Sequence, residues 1–168
     1  MQAYGVRHLL EDVIMATEFP SQARTSTSRE IRIENKMTEI ARVAALVDSF
    51  AAEHGLSNEV MVALNVSLDE ILNNIISYAY EDAECHGISV RLELLRQKVE
   101  VTVEDDGKPF NPLAVGISDP GANPGDKPGT KPRAEGGAGL KFVRNLTDEL
   151  TYVRRDGINQ LRLAKRLS

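Results

Sequence analysis

A polar cluster interrupts an apolar helical pattern between residues 57 and 80. The apolar side chains of this segment recur at the three- and four-residue spacing of one helix face: Val60, Leu64, Leu68, Ile71, Leu72, Ile75 and Ala79. Glu70, Asn73 and Asn74 fall within one turn of the same helix, which places their side chains on one strip of its surface. A carboxylate and an amide oxygen that face one cavity can hold a hydrated Mg²⁺. Since a core helix has no structural need for these groups, we expect a site for a nucleotide and Mg²⁺ beside it.

The other periodic segments fit one α+β domain. Strand-like alternation occurs at residues 29–34, 88–95, 99–104, 150–155 and 159–165, and helical spacing at residues 36–53 and 140–150. Ser57 is placed to cap the central helix, and Asp156-Gly157 to turn the last hairpin. The order β-α-α-β-β-lid-α-β-β predicts a two-layer α/β sandwich, with helices on one face of a mixed, mainly antiparallel sheet.

Two segments do not fit this periodic pattern. Residues 1–27 form an N-terminal extension, in which one stretch fits a short amphipathic helix and a Ser/Thr-rich link, expected to be flexible, follows. The apolar positions of that stretch are Val6, Leu9, Leu10, Val13 and Ile14. Residues 111–138 hold most of the proline and glycine, and such a long insert is usually a lid, a binding loop or disorder. We therefore divide the chain into the extension 1–27 and a domain at 28–168 with a lid at 111–138.

Composition argues against several classes of protein. The chain has 168 residues and a net charge of -5, without a basic patch, which argues against direct nucleic-acid binding. Its one cysteine excludes an internal disulfide, and its three scattered histidines lack the ligand spacing of a structural zinc site. We find no apolar run of membrane-spanning length and no signal peptide. The expectation is a soluble, cytoplasmic protein without membrane contact.

A second candidate site stands at the end of the strand predicted at residues 99–104. A carboxylate that leaves a strand just before a glycine turn can accept a hydrogen bond from the exocyclic amine of adenine, which guanine lacks at that position. Gly107 would let the backbone approach the base without a Cβ in the way. Asp105-Asp106-Gly107 alone is also an ordinary turn signal. Its combination with the Glu70 helix favours an adenine contact at Asp105.

A third candidate site is the glycine run before the predicted helix at 140–150. Gly136, Gly137 and Gly139 leave bare backbone N–H groups at a helix N-terminus, where the helix dipole also favours a phosphate. The alternative is a flexible hinge. The run matches neither G-x-x-x-x-G-K-[ST] nor G-x-G-x-x-G after a parallel strand, so a different nucleotide fold is required.

Taken in order, these motifs resemble those of the GHKL ATPase superfamily, which gyrase, heat-shock chaperones, histidine kinases and mismatch-repair proteins share. The similarity extends over residues 29–167 and implies the Bergerat ATP-binding fold. Three stretches resemble the anti-sigma factor serine/threonine kinases of bacterial partner-switching systems: EILNNIISYAY at 70–80, DDGKPF at 105–110 and GAGLKFVRNLTDE at 137–149. Pro109 replaces the second glycine of the general Asp-x-Gly-x-Gly motif, a replacement familiar in that subfamily.

The resemblance implies a role for each matching residue. Glu70 would be the general base, Asn74 the magnesium ligand and Asp105 the adenine contact, while Gly107 would shape the adenine pocket. Five further positions would bind the nucleotide: Asn73, Gly136, Gly137, Gly139 and Leu140. Lys131 or Arg133 of the lid is a candidate contact of the γ-phosphate, although exposed basic residues in loops usually serve solubility alone.

The implied activity is transfer of the ATP γ-phosphoryl group to a serine or threonine of an anti-anti-sigma antagonist. The same protein would bind a sigma factor and form a homodimer. An alternative is a regulatory module that sequesters a partner and uses ATP only as a conformational ligand. A histidine kinase is disfavoured, because no helical hairpin with a phosphoacceptor histidine lies upstream and His8 is in too short a segment. The sequence does not separate kinase from module, since both need ATP and Mg²⁺.

Overall fold

The helices and strands follow one another in the predicted order. The computed structural model describes residues 27–109, 111 and 137–167. They form β1 (Ser28–Glu34), α1 (Ile40–His54), α2 (Asn58–Tyr78), β2 (Gly87–Leu94), β3 (Lys98–Asp105), α3 (Gly137–Leu146), β4 (Glu149–Arg155) and β5 (Ile158–Arg166). A single 3₁₀ turn, Met37–Glu39, precedes α1 inside the segment predicted as one helix.

The five strands form one sheet in the order β1-β2-β3-β5-β4. The register places apolar side chains opposite one another, such as Val90 opposite Val103 and Val101 opposite Leu163. Polar residues alternate with them, so one face of the sheet is apolar and the other polar. The mainly antiparallel sheet is confirmed, and no parallel pair occurs among the described strands.

All three helices pack on the apolar face of the sheet. Val47 and Phe50 of α1, Leu64 and Leu72 of α2, and Val143 of α3 are each exposed by 1% or less. They form one cluster with the inward-facing strand residues. Burying a side chain of this kind contributes about 1.5–3 kcal/mol. The predicted two-layer sandwich with helices on one face is therefore confirmed.

Helix α2 is the central helix of this layer and carries the polar cluster. Ser57 caps it by accepting a hydrogen bond of 3.3 Å from the backbone N–H of Val60, as predicted. By length and composition, α2 is also the one helix among the described residues that could cross a membrane. We expected no membrane-spanning run from the sequence, because polar residues such as Glu70 and Asn74 interrupt this otherwise apolar segment. Here the apolar face of α2 packs on the sheet, as in a core helix.

Two chain reversals have the backbone conformations that their residues favour. Gly55 ends α1 in the left-handed region, with a φ of 62°. Asp156 and Gly157 both have positive φ, at 51° and 85°, which is the pattern of a two-residue type I′ hairpin turn. This turn fixes the register of β4 against β5.

Helix α3 differs from its prediction at both ends. It begins at Gly137 rather than near residue 140 and ends at Leu146 rather than Leu150. At its end, both the N–H and the hydroxyl of Thr147 donate to the carbonyl of Val143, at 3.0 and 2.7 Å. The next residue, Asp148, donates its N–H to Ala164 of β5, so the chain has already joined the sheet. The last two residues of the predicted lid, 137 and 138, therefore belong to α3.

Several predictions lie outside the described residues. These are the amphipathic helix in the extension, Lys131, Arg133, Gly136 and the lid apart from residues 111, 137 and 138.

Candidate functional site

A cavity opens between α2 and the end of the sheet where β3 stops and the β4–β5 hairpin begins. It contains about 560 Å³ of space, counting its open mouth. Its lining comes from α2, the end of β3, α3 and the β4–β5 hairpin: Ile71, Asn74, Ile75, Tyr78, Ala79, Asp105, Lys108, Leu140, Tyr152, Asn159 and Leu161. The walls are largely apolar, with a few polar groups at fixed positions. A cavity of this kind is typical of a small-molecule site.

On the α2 side, Asn74 is held so that its amide oxygen stays available. Its Nδ2 donates to the backbone carbonyl of Glu70 at 2.6 Å, and the residue is only 9% exposed. Because the partner is a carbonyl, the atom that faces it must be the nitrogen, so the orientation of the amide is fixed. Oδ1 is thereby left free of this bond, in a residue that lines the cavity.

Glu70 lies one turn before Asn74 and faces the first turn of α3. A Cβ placed on Gly139 would collide with the Glu70 carboxylate, at Oε2. Gly139 therefore lets α3 approach α2 at the position of the carboxylate. The N-terminal turn of α3, whose first N–H groups have no partner within the helix, thus lies beside Glu70.

We predict that Gly139→Ala leaves the fold intact and displaces the Glu70 carboxylate. The atom in conflict is the end of a flexible side chain, so the displacement costs little stability, while alanine in a helix gains about 1 kcal/mol over glycine. If Glu70 acts in catalysis, its displacement should lower the rate by up to about 10²-fold. Thermal unfolding and the phosphoryl-transfer rate are to be measured on the same preparation.

The exposed α3 residue Asn145 supplies the control variant, Asn145→Ala, which should leave the rate unchanged. An unchanged phosphoryl-transfer rate in the Gly139→Ala variant would show that Glu70 does not act in the transfer step.

At the end of β3, Asp105 is a buried carboxylate with one oxygen occupied. It is 6% exposed, and its Oδ1 accepts hydrogen bonds from Gly107 N–H and from Asn159 Nδ2, both at 2.9 Å. Burial raises the pKa of Asp105, against the opposing effect of these two bonds. Among the described residues both bonds go to Oδ1, which leaves Oδ2 for a ligand.

Gly107 sits against the end of α2. A Cβ on it would lie 2.5 Å from the Cβ of Ala79 and 2.8 Å from its carbonyl oxygen. The N–H of Lys108 donates to that same carbonyl at 2.8 Å. No larger residue fits at this position without moving backbone, so Gly107 is needed for the close approach of the two segments.

The structure brings together some of the predicted site residues. Asn74, Asp105 and Leu140 line the cavity, and Gly107 shapes it. Asn73 does not line it, because the next residue along a helix points about 100° away; its Nδ2 donates to the Asp69 carbonyl at 2.8 Å. Glu70 does not line the cavity either, and its carboxylate lies against Gly139, which precedes the lining residue Leu140. Of the three side chains predicted to share one strip, Asn74 is the one that lines the cavity.

Sequence reasoning missed a hydrogen-bond network of Tyr152, Arg154 and Asn159, in which Tyr152 and Asn159 line the cavity. Asn159 is 4% exposed and contacts Asp105. Its signal was present in the sequence, since it is the polar member of the inward-facing series that Leu161 and Leu163 continue along β5. A lone polar residue in such a series indicates a buried hydrogen-bond role.

Comparison with known proteins identifies the family. The model of the histidine kinase-like ATPase domain matches residues 33–165, which is most of the chain. The chain belongs to this family. The resemblance to the GHKL ATPase superfamily is thereby confirmed, together with its ATP-binding fold.

Two curated relatives carry kinase names. The chain is 30% identical over 139 residues to the serine/threonine-protein kinase BtrW of Bordetella bronchiseptica, which covers 82% of this chain and 94% of that protein. It is 21% identical over 134 residues to the serine-protein kinase RsbW of Staphylococcus aureus, covering 77% of this chain and 80% of that protein. The family and these names support serine/threonine kinase activity at the level of the family.

A solved structure shares the fold. The RsbU and RsbW domains of a Mycobacterium tuberculosis protein superpose with a TM-score of 0.59 at 18% identity, over 83% of this chain. The match spans 32% of that chain, so our domain corresponds to about a third of its length.

Proposed function

We propose that this chain is an ATP-dependent anti-sigma factor that phosphorylates a serine or threonine of an anti-anti-sigma antagonist. The observation that carries the proposal is that Asn74 and the buried Asp105 line one cavity, while the Glu70 carboxylate lies against Gly139, next to the lining residue Leu140. The kinase names of both curated relatives support it.

The residues fit adenine and the phosphates at opposite ends of the cavity. Asp105 keeps Oδ2 for the exocyclic amine of adenine, and Gly107 lets the loop after Asp105 pack against the end of α2. At the other end, the N-terminal N–H groups of α3 and the helix dipole favour phosphate oxygens. Tyr78 and Leu140 provide apolar wall between these two ends.

The residues also fit Mg²⁺, which would neutralise charge on the phosphates during transfer. Asn74 would hold it through Oδ1, an oxygen of the kind that Mg²⁺ prefers, with phosphate oxygens and water completing its shell. No other protein ligand is assigned.

The transfer step falls to Glu70. It would accept the proton of the serine or threonine hydroxyl, whose oxygen forms a bond to the γ-phosphorus while the bond to the bridging oxygen breaks and ADP leaves. Glu70 suits this role because it lies beside both Asn74 and the N-terminus of α3. Arg133 of the lid is proposed as a γ-phosphate contact on its chemistry alone.

The proposed partners follow from the family resemblance. They are an antagonist protein as phosphoryl acceptor, a sigma factor and a second copy of this chain. The cytoplasm is the compartment in which these partners and ATP occur together.

The direct test is incubation of the protein with Mg²⁺, ATP labelled at the γ-phosphate and a candidate antagonist from the same genome. The proposal expects label on the antagonist, and none when its acceptor serine or threonine is replaced by alanine. Tight ATP binding and capture of a partner without any labelled product would instead favour the regulatory module.

A further inference from the structure

The loop that follows β3 is held in place by side chains of the β4–β5 hairpin. Asn159 Nδ2 donates to Asp105 Oδ1 at 2.9 Å and to the carbonyls of Lys108 and Gly107 at 3.1 and 3.3 Å. Arg154 Nη1 donates to the same Gly107 carbonyl at 2.8 Å. The segment that carries Asp105 is thus fixed from a hairpin about 50 residues later in the chain.

Asn159 has no hydrogen-bonding capacity left for a ligand. Its Oδ1 accepts from the Tyr152 hydroxyl at 2.7 Å and from Arg154 Nη1 at 2.6 Å, which uses both lone pairs. Its Nδ2 has two hydrogens, shared among three acceptors on the loop. Asn159 can therefore position Asp105, and it cannot read a base itself.

Arg154 and Tyr152 also fix which way the Asn159 amide points. Both donate to Oδ1, and since Arg154 cannot accept, a flipped amide would place its NH₂ against the Arg154 donor and leave Asp105 without one. Of the two, Arg154 is charged, and charge-assisted hydrogen bonds are roughly twice as strong as neutral ones. Arg154 also bridges directly to Gly107, so it holds both the amide and the loop.

The consequence for Asp105 is that one carboxylate oxygen is saturated in a defined orientation. With Oδ1 occupied, Oδ2 is the oxygen left to accept from a ligand donor, and an ionised carboxylate cannot donate to a ligand acceptor. The positive charge of Arg154 also opposes the rise that burial causes in the pKa of Asp105. A site with this polarity should prefer an amino group over a carbonyl oxygen on the bound base.

We propose that Arg154, acting through Asn159, is a positioning residue that sets the selectivity of this site for a 6-amino purine over a 6-oxo purine. This inference rests on the proposed function, since it assumes that Asp105 contacts the base. Arg154 lies on β4, outside the motifs on which the family resemblance was based.

The test compares ATP with ITP, which carries a carbonyl oxygen where adenine carries its exocyclic amine. Both nucleotides are titrated with Mg²⁺ into the full chain, by calorimetry, for the wild type, Arg154→Gln and Arg155→Gln. Arg155 is the adjacent residue of the same type and is exposed, so it provides a matched control. Thermal unfolding of each variant checks that it is folded.

We expect the wild type to bind ATP more tightly than ITP. Arg154→Gln should weaken ATP binding about tenfold and ITP binding less than threefold, because loss of a charge-assisted bond loosens only the contact that ITP does not make. Arg155→Gln should match the wild type. Arg154→Lys, which keeps the charge and a donor, should recover part of the preference.

A second experiment tests whether Arg154 affects nucleotide selectivity by way of Asp105. In an Asp105→Asn background, the Arg154 change should no longer alter the ratio of ATP to ITP affinity, since residues that act on one contact are not additive.

Three results would overturn the inference. Equal fold-losses for ATP and ITP would indicate a merely structural role for Arg154, and no loss for either nucleotide would indicate no role in binding the base. A wild type that binds ATP and ITP equally would refute base reading by Asp105 and the inference with it, while ATP-dependent transfer could persist. A wild type that binds neither nucleotide would overturn the proposed function itself.

Discussion

Glu70→Gln is expected to lower the rate of phosphoryl transfer by about 10²–10⁴ while leaving ATP affinity nearly unchanged. Glutamine keeps the size of the side chain, and therefore its contact with Gly139, but it cannot accept the proton of the attacking hydroxyl. The backbone carbonyl of Glu70, which holds Asn74, is unaffected by the substitution. The Glu70→Gln variant should therefore bind ATP as the wild type does but transfer the phosphoryl group slowly.

The measurement is a single-turnover assay with labelled ATP and the antagonist, alongside calorimetric titration of ATP with Mg²⁺. Asp69→Asn is the matched control, because Asp69 precedes Glu70 on the same helix, is exposed and points into the groove between α1 and α2 rather than into the cavity. Its rate should equal that of the wild type. If the Glu70 variant transfers phosphate at an undiminished rate, another group is the base, and Glu70 has a structural or metal-related role.

The features predicted correctly from the sequence are those that depend on neighbouring residues. Ser57 caps α2 within one turn, and Asp156 and Gly157 turn the hairpin by their own backbone preferences. The placement of Glu70 and Asn74 one turn apart on a helix is likewise local. Asp105 could be placed at a strand end and Gly107 in the turn after it because strand and turn are adjacent in the chain.

Helix α3 shows where local preference misleads. Glycine disfavours helix by about 1 kcal/mol relative to alanine, so Gly137 and Gly139 were read as loop. In the fold they belong to the first turn of α3, where the absence of a Cβ on Gly139 lets that turn lie beside the Glu70 carboxylate. This contact is with a helix about 70 residues earlier, and a local pattern does not contain it.

The Arg154–Asn159 network was missed for a related reason. It depends on the register of β3 against β5, which places Asp105 opposite Asn159, residues 54 positions apart. A single polar residue in β5 signals that some partner exists, but the partner is set by strand pairing. Long-range hydrogen bonds of this kind are fixed by topology, so they become visible only with the structure.

Asp105→Asn should weaken ATP binding by about 10- to 150-fold, the equivalent of losing a hydrogen bond to a charged group worth roughly 1.5–3 kcal/mol. Asparagine can keep the bonds from Gly107 and Asn159 through its Oδ1, so the loop should stay in place. What it loses is Oδ2, which becomes an NH₂ donor facing the donor of the base. ATP affinity by calorimetry is the measurement, and ITP should lose far less.

The exposed neighbour of Asp105, Asp106, offers a control variant for ATP affinity. Asp106 lies 3.3 Å from His86 Nδ1 on the surface, so Asp106→Asn removes a favourable contact without touching the cavity lining. It should leave ATP affinity close to that of the wild type and slightly lower the melting temperature. Weakening of ATP binding by both variants alike would point to a general disturbance of the loop.

The same substitution at Asp105 should raise thermal stability at neutral pH. Burial raises the folded-state pKa of Asp105 above its unfolded value, so the native state binds a proton more tightly than the unfolded chain. The free energy of unfolding therefore falls as pH rises from the unfolded-state pKa to the folded-state pKa. Above the folded-state pKa, Asp105 is charged in the native state and its burial destabilises the fold in full. Asparagine removes that cost, so the melting temperature of the variant should exceed that of the wild type at pH 7. The difference should shrink as pH falls through the folded pKa, where wild-type Asp105 becomes protonated. A variant that is less stable at every pH would show that the carboxylate serves the fold rather than the ligand.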